Sequence, residues 1–330
     1  MMTRVRAAKV RGPGLVDVES VALRELEAGE VLVRMAVAGI CGSDLHRIYD
    51  GYPDGVDEFP LPPGAPGHEG VGRVAVSRSR EYSEGDSVLT VPDARWARCF
   101  AEYQIVPECF LVRARADTLP EIAILAQQLG TVIFALKRFW PEAPGKLATV
   151  IGGGPAGLLF GAMLRRRGFE SVIVSDLVEE RVAAAGRMNG VTGVRAGSGA
   201  VLEVTLEHSG GRGADLVVEA SGRDAGREDA VQCVATGGRV GLFGLPQGRN
   251  AMALRYDILF ERRPTVLVSD DTQHEMGLWS FREALDVIST APGDWSWLVT
   301  HRFALDELGT ALELARSRRD GALKVVVNCQ

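Results

Sequence analysis

The chain has 330 residues, 46% of them hydrophobic and 24% charged, with a net charge of -6. That length exceeds one ordinary core and suits two domains, and the composition is that of a folded protein. The acidic balance argues against a nucleic-acid footprint or a polybasic membrane surface, so the expected partner is a small molecule.

Residues 1–11 carry Arg4, Arg6 and Lys9 with no apolar stretch behind them, so no secretory leader is expected. Five cysteines (Cys41, Cys99, Cys109, Cys233 and Cys329) are odd in number and lack framework spacing, as expected in a reducing cytoplasm. The first third reads as short strands broken by Gly and Pro, with β-type runs at 31–38, 72–76 and 86–91. Residues 59–67 hold four prolines and predict a loop. Cys41 lies in Gly-Ile-Cys-Gly-Ser-Asp-Leu-His at 39–46, and His68 and Glu69 lie in Gly-His-Glu-Gly at 67–70. A thiolate, an imidazole and a carboxylate are what a catalytic zinc takes when one position must stay open for water or substrate.

From residue 120 the pattern changes. A helix is predicted over 121–139, with Pro120 before it and Pro141 beyond. Alternating units follow: strand 148–151, helix 156–167, strand 171–175, helix 178–188, then strands at 215–219 and 239–243. Such alternation is the signature of a parallel sheet. A helix at 307–317 and a strand at 323–328 close the chain. The stretch 147–164 is uncharged for 18 residues, but its glycines and Pro155 favour a strand, turn and helix over a membrane span.

Gly152, Gly154 and Gly157, with Gly153 and Pro155 between them, form G-x-G-x-x-G after an apolar strand and at the mouth of a helix. The first glycine permits the tight turn, the second lets a pyrophosphate approach, and the third lets helix and strand pack closely. Asp176 ends the next strand 19 residues past Gly157, where a carboxylate meets ribose hydroxyls. A 2′-phosphate would be repelled there, which favours NAD over NADP. Arg181 lies one helical turn further on and is placed to cover the adenine. The structural alternative is that Asp176 caps the helix after it.

With these motifs in order, the chain resembles the zinc-containing medium-chain dehydrogenases, the family of alcohol, sorbitol and threonine dehydrogenases. The resemblance is carried by 39–46, by Gly-His-Glu-Gly-x-Gly at 67–72, Gly-Asp-x-Val at 85–88, Gly-Gly-Gly-Pro-Ala-Gly at 152–157, Val-Glu-Ala-Ser-Gly at 218–222 and Gly-Gly-Arg-Val at 237–240. It implies an α/β chain: a GroES-like, β-rich catalytic domain (1–128 and 271–330) with an inserted Rossmann doubly wound parallel sheet (129–270). It implies Cys41 and His68 as zinc ligands, Asp44 as the carboxylate orienting the ligand imidazole, Ser43 beside the reacting oxygen, and His46 as the outlet for the proton. Lys324 matches a basic residue facing the Glu after the ligand His and is grouped with the cofactor contacts, as are Ala220, Ser221, Phe243 and Leu245.

Two departures from the family pattern stand out. Gln127 occupies the position where Cys or Glu is usual, and a neutral amide is a weak zinc ligand. Zn²⁺ with one thiolate and a neutral imidazole keeps a positive charge that Glu69 would cancel. The expected set is therefore Cys41, His68 and Glu69 plus a water held by Gln127, with ligation by Gln127 itself as the alternative. The lobe that often carries four cysteines for a structural zinc is reduced to residues 92–101 with Cys99 alone, so a single catalytic Zn²⁺ and no structural Zn²⁺ is expected.

The implied activity is NAD-linked oxidation of a polyol, sugar or amino alcohol by a cytoplasmic homodimer, with pocket walls from Tyr49, Tyr52, Phe59, Pro92 and Trp96. A zinc-free reductase of an activated double bond and a non-catalytic nucleotide sensor are the rival readings. His208, His274 and His301 fit no ligand cluster.

Overall fold

The computed structural model describes residues 4–50, 59–141, 145–246 and 255–330. The chain divides into two compact units, Met1–Gly130 with Asp271–Gln330, and Thr131–Asp270.

The first unit is rich in β-structure. A hairpin pairs β1 (Arg4–Gly12) with β2 (Leu15–Ala22) antiparallel, turning at Pro13 and Gly14. The main sheet contains β3 (Glu30–Gly39), β4 (Glu69–Ser77), β5 (Ser87–Thr90), β6 (Tyr103–Pro107) and β7 (Leu111–Arg113). Between β3 and β4 lies one helical turn, α1 (Gly42–Leu45), and a π-type turn over His46–Asp50. The strand β3 is buried along most of its length because β4 and β6 pair with it. The register sets Gly39 opposite Glu69, so the residues that follow β3 meet those that begin β4.

The helix predicted over 121–139 is two pieces, α2 (Pro120–Ala123) and α3 (Leu125–Phe139), separated at Ile124. There the Gln127 N–H reaches back only three residues, to the Ile124 carbonyl. Among the described residues this is the one stretch long and apolar enough to cross a membrane, and its apolar window is 72% buried inside the structure. It is a core helix.

The second unit alternates strand and helix: β8 (Leu147–Ile151), α4 (Pro155–Arg166), β9 (Ser171–Asp176), α5 (Glu179–Gly186), β10 (Val191–Arg195), α6 (Ala200–Ser209), β11 (Ala214–Glu219), α7 (Asp224–Cys233), β12 (Val234–Leu242), α8 (Tyr256–Arg262) and β13 (Thr265–Val268). The strands form one parallel sheet in the order β10-β9-β8-β11-β12-β13. The order reverses between β8 and β11, the switch point at which doubly wound sheets bind ligands. The run β8 is buried throughout, as a strand covered on both faces must be. Back in the first unit, α9 (Trp279–Thr290), β14 (Val299–Ala304), α10 (Leu308–Ser317) and β15 (Lys324–Asn328) complete the chain. The pairing of β15 with β3 extends the main sheet, and β14 pairs parallel to β15 at its edge.

Aromatic packing anchors the parallel sheet. Phe160 on α4 is fully buried, stacked on Phe139 at 6.5 Å and edge-on to Phe243 at 4.9 Å. Phe160→Ala should cost about 3–5 kcal/mol of unfolding free energy through lost burial and the cavity left behind. Denaturant unfolding monitored by circular dichroism checks this.

Candidate metal centre and dinucleotide site

Local backbone geometry assembles the metal cluster. Cys41 caps α1 in an extended conformation, and Asp44, three residues on, folds back so that Oδ2 accepts the Cys41 N–H at 2.9 Å. Asp44 Oδ1 lies 2.9 Å from His68 Nδ1. Asp44 is buried, so its charge is felt strongly by both partners. The imidazole thus donates through Nδ1, which leaves Nε2 as the nitrogen a metal can take once it is unprotonated, as ligand histidines are held. Ser43 Oγ stands 3.3 Å from that Nε2. Burial presses the His68 pKa down, but Asp44 and Cys41 outweigh it and carry the value well above the ordinary histidine range. A divalent cation must displace that proton to bind.

The donor atoms of Cys41, His68 and Glu69 lie within 4.8 Å of one another. Glu69 is fully buried, and its Oε1 has no hydrogen-bond partner among the described residues. Lys324 Nζ pairs with Glu69 Oε2 as a counter-charge and donates to the Ile40 carbonyl at 3.3 Å. A buried carboxylate short of donors beside a thiol and an oriented imidazole fits a divalent metal. Gly39 permits the pair: a Cβ there would lie 2.2 Å from Glu69 Oε2 and 3.2 Å from Lys324 Cε.

Lys324, grouped with the cofactor contacts and expected to face the Glu after the ligand His, is fully buried, paired with Glu69 and bonded to the Ile40 carbonyl. Of the expected pocket walls, Tyr49, Phe59 and Trp96 pack against the core of the first unit, and Tyr52 lies outside the described residues. Pro92 is buried. Gln127 is also buried, on the first turn of α3. His46 Nδ1 is 2.6 Å from Asp50 Oδ2, whose side chain is half exposed. The Cys99 thiol donates to the Glu69 carbonyl at 3.1 Å, and burial drives its pKa up. His208 and His301 sit beside the hydroxyls of Ser171 and Thr300, and His274 beside Asp271.

In the second unit the glycine turn follows β8 directly. A Cβ on Gly157 would lie 1.7 Å from the Gly152 carbonyl, so only glycine fits. Asp176 Oδ2 accepts the Gly153 N–H at 2.8 Å, and Oδ1 accepts the Val178 N–H at 2.9 Å. The carboxylate therefore braces the turn and caps the segment after it. Arg181 reaches back to within 3.7 Å of Asp176 Oδ2, beside Gly154.

Glu219 is the functional residue that sequence reasoning passed over. Fully buried at the end of β11, its carboxylate accepts the N–H groups of Ser221 at 2.8 Å and Gly222 at 3.0 Å and the Ser221 hydroxyl, while its carbonyl accepts the N–H groups of Phe243 and Gly244 at 2.9 Å. Burial raises its pKa against those donors. Through it the segments bearing Ala220, Ser221, Phe243 and Leu245 are fastened together. The signal was an acidic residue ending an apolar strand just before Ala-Ser-Gly.

Comparison with known proteins fits this geometry. A family model described as the alcohol dehydrogenase GroES-like domain matches residues 27–116, and one described as zinc-binding dehydrogenase matches residues 155–285. An L-threonine 3-dehydrogenase of Bacillus subtilis is 28% identical, with 93% of each chain covered. A sorbitol dehydrogenase of the same organism is 26% identical over 98% of this chain and 97% of its own. The solved structure of the alcohol dehydrogenase TADH from Thermus sp. ATN1 superposes with a TM-score of 0.81 at 25% identity, covering 98% of this chain and 99% of that one.

Lys324→Met removes the counter-charge from Glu69. In metal-free protein this should cost about 3–5 kcal/mol, the usual consequence of stranding a buried charge. Zinc should restore most of the loss if Glu69 is a ligand, and little if it is not. Melting temperatures with and without zinc measure the difference.

Proposed function

The chain belongs to the zinc-containing medium-chain dehydrogenase superfamily, and from that premise we propose that it oxidises a polyol, sugar or amino alcohol with NAD on one catalytic zinc. The observation that carries the reading is the Cys41–His68–Glu69 cluster with the His68 tautomer fixed by Asp44. A thiolate, a neutral imidazole and a carboxylate together cancel the charge of Zn²⁺ and leave a fourth position. When bound, the metal supplies Lewis-acid polarisation of the carbinol and the nicotinamide supplies the hydride acceptor.

The protein's own share is orientation and proton movement. Asp44 holds His68, and Ser43 Oγ, beside His68 Nε2, takes the hydroxyl proton while passing its own proton on toward His46 as the carbinol carbon gives up its hydride. The His46–Asp50 pair releases that proton to water. The products are a carbonyl compound, NADH and a proton.

Asp176 supports NAD, since its carboxylate at the lip of the glycine turn repels a 2′-phosphate. The names of the Bacillus subtilis relatives, a threonine and a sorbitol dehydrogenase, support a polyol or amino alcohol over a simple primary alcohol. A homodimer formed through the edge of the parallel sheet is supported by Val266 and Val268 on β13, with Tyr256 and Phe260 on α8, all exposed. Five free cysteines support a cytoplasmic location.

A spectrophotometric screen of polyols, sugar alcohols and amino alcohols with NAD or NADP, with and without a chelator, tests the reading. NADH should form with at least one panel member, faster than NADPH, and a chelator should stop it. Chelator-insensitive turnover of an activated double bond would instead favour a zinc-free reductase. Ser43→Ala should lower kcat by about 10²–10⁴ while leaving NADH affinity unchanged.

A further inference from the structure

A cavity of about 430 Å³ opens on the first unit between the segment 24–30 and the connection 95–98. That volume falls within the range of small-molecule pockets. Its walls carry the guanidinium groups of Arg24, Arg95 and Arg98, the indole of Trp96 and the carboxylates of Glu27 and Glu30. None of these is a metal ligand or lies on the parallel sheet.

The charges in this cavity are unevenly matched. Glu30 is buried and fully used: both terminal nitrogens of Arg24 reach it at 2.6 Å, and it accepts the Glu27 N–H at 2.7 Å. The bonds from Arg24 outweigh burial and hold its pKa below the usual carboxylate range. Arg95 and Arg98 enter no ion pair among the described residues. Burial and the neighbouring Arg24 push the Arg98 pKa down, which marks a cation held without a counter-charge.

The arginines sit on a fixed frame. Arg24 and Arg95 lie over the Trp96 ring at 5.8 and 5.4 Å from its centroid. The Asp93 carboxylate accepts the N–H groups of Arg95 and Trp96, and the Trp96 carbonyl accepts a bond from Gln104 Nε2 at 2.8 Å. Holding like charges together on such a frame is unfavourable until an anion joins them.

We propose that this cavity binds a compact anion, a phosphate ester or a carboxylate. Guanidinium forks match the oxygens of both classes two at a time. With Arg24 spent on Glu30, Arg95 and Arg98 against Glu27 leave one positive charge for the anion to meet.

Isothermal titration of the full-length protein with inorganic phosphate and with tricarballylate, at ionic strength matched by sodium chloride, tests the proposal. Saturable binding of at least one anion is expected; the anion that binds more tightly identifies the ligand class. In the Arg95→Gln/Arg98→Gln double variant the affinity should fall about tenfold or more, given what charge-assisted hydrogen bonds contribute. Its melting temperature in anion-free buffer should not fall below that of the parent, since neither guanidinium enters an ion pair among the described residues. The Arg95→Lys/Arg98→Lys variant should keep part of the affinity. Absence of saturable binding, or binding weakened less than about threefold in the glutamine variant, overturns the proposal, the latter by moving the anion to the glycine turn or the metal ligands.

Discussion

A carboxylate with no access to water governs the catalytic unit. Glu69 is fully buried where β4 begins, and a charge in that position is tolerated only when opposite charge sits against it. Lys324 provides that charge at Oε2, and Oε1 is left without a partner among the described residues, open to a second cation. The surrounding structure follows from that need. Gly39 must be glycine because any Cβ would occupy the space of the Glu69–Lys324 pair. The register of β3 on β4 places Gly39 opposite Glu69, and β15 alongside β3 brings in Lys324. Strand order in this sheet is thus also the order of charges around the metal position.

The second unit uses carboxylates differently. Asp176 and Glu219 end β9 and β11, the two strands that flank β8. Each spends its charge on backbone N–H groups: Asp176 on Gly153 and Val178, Glu219 on Ser221 and Gly222. The carboxyl edge of the sheet is a row of loops whose N–H groups would otherwise be unsatisfied, and these two side chains satisfy them from both sides of the glycine turn. Asp176 therefore does what capping predicts, and bracing the turn fixes its carboxylate beside Gly153.

Legibility from sequence followed how far each signal depends on near neighbours. The turn at 152–157 and the runs around it were readable because buried parallel strands are continuously apolar and the glycines have fixed spacing. Cys41, Asp44, His68 and Glu69 were readable as two short motifs, but their meeting depends on strand register, which no local pattern contains. The hairpin of β1 and β2 was not anticipated, since β2 is half exposed along its length and shows no clean apolar face. Neither was α7, whose sequence Asp-Ala-Gly-Arg-Glu-Asp-Ala-Val-Gln-Cys has too few apolar residues for a helical stripe. Lys324 was seen to face Glu69, but its full burial, which sets its role, is a property of the packed sheet.

The connection 92–101 is held by hydrogen bonds from side chains within and beside it. Asp93 caps the backbone of Arg95 and Trp96, Gln104 ties the Trp96 carbonyl to β6, and the Cys99 thiol reaches the Glu69 carbonyl. The Cys99 bond is buried and the Trp96 bonds are partly so, where breaking one would leave its partner unsatisfied. Cys99 also fills the space over Gly67 and Gly70, where a Cβ would lie 2.8 Å from its sulfur and 3.1 Å from its Cβ. The one cysteine of this loop therefore works through shape and a single hydrogen bond. The same stiffness that fixes the backbone of Glu69 on one side fixes the arginines on the other, so the metal cluster and the cationic cavity share a support without sharing a side chain.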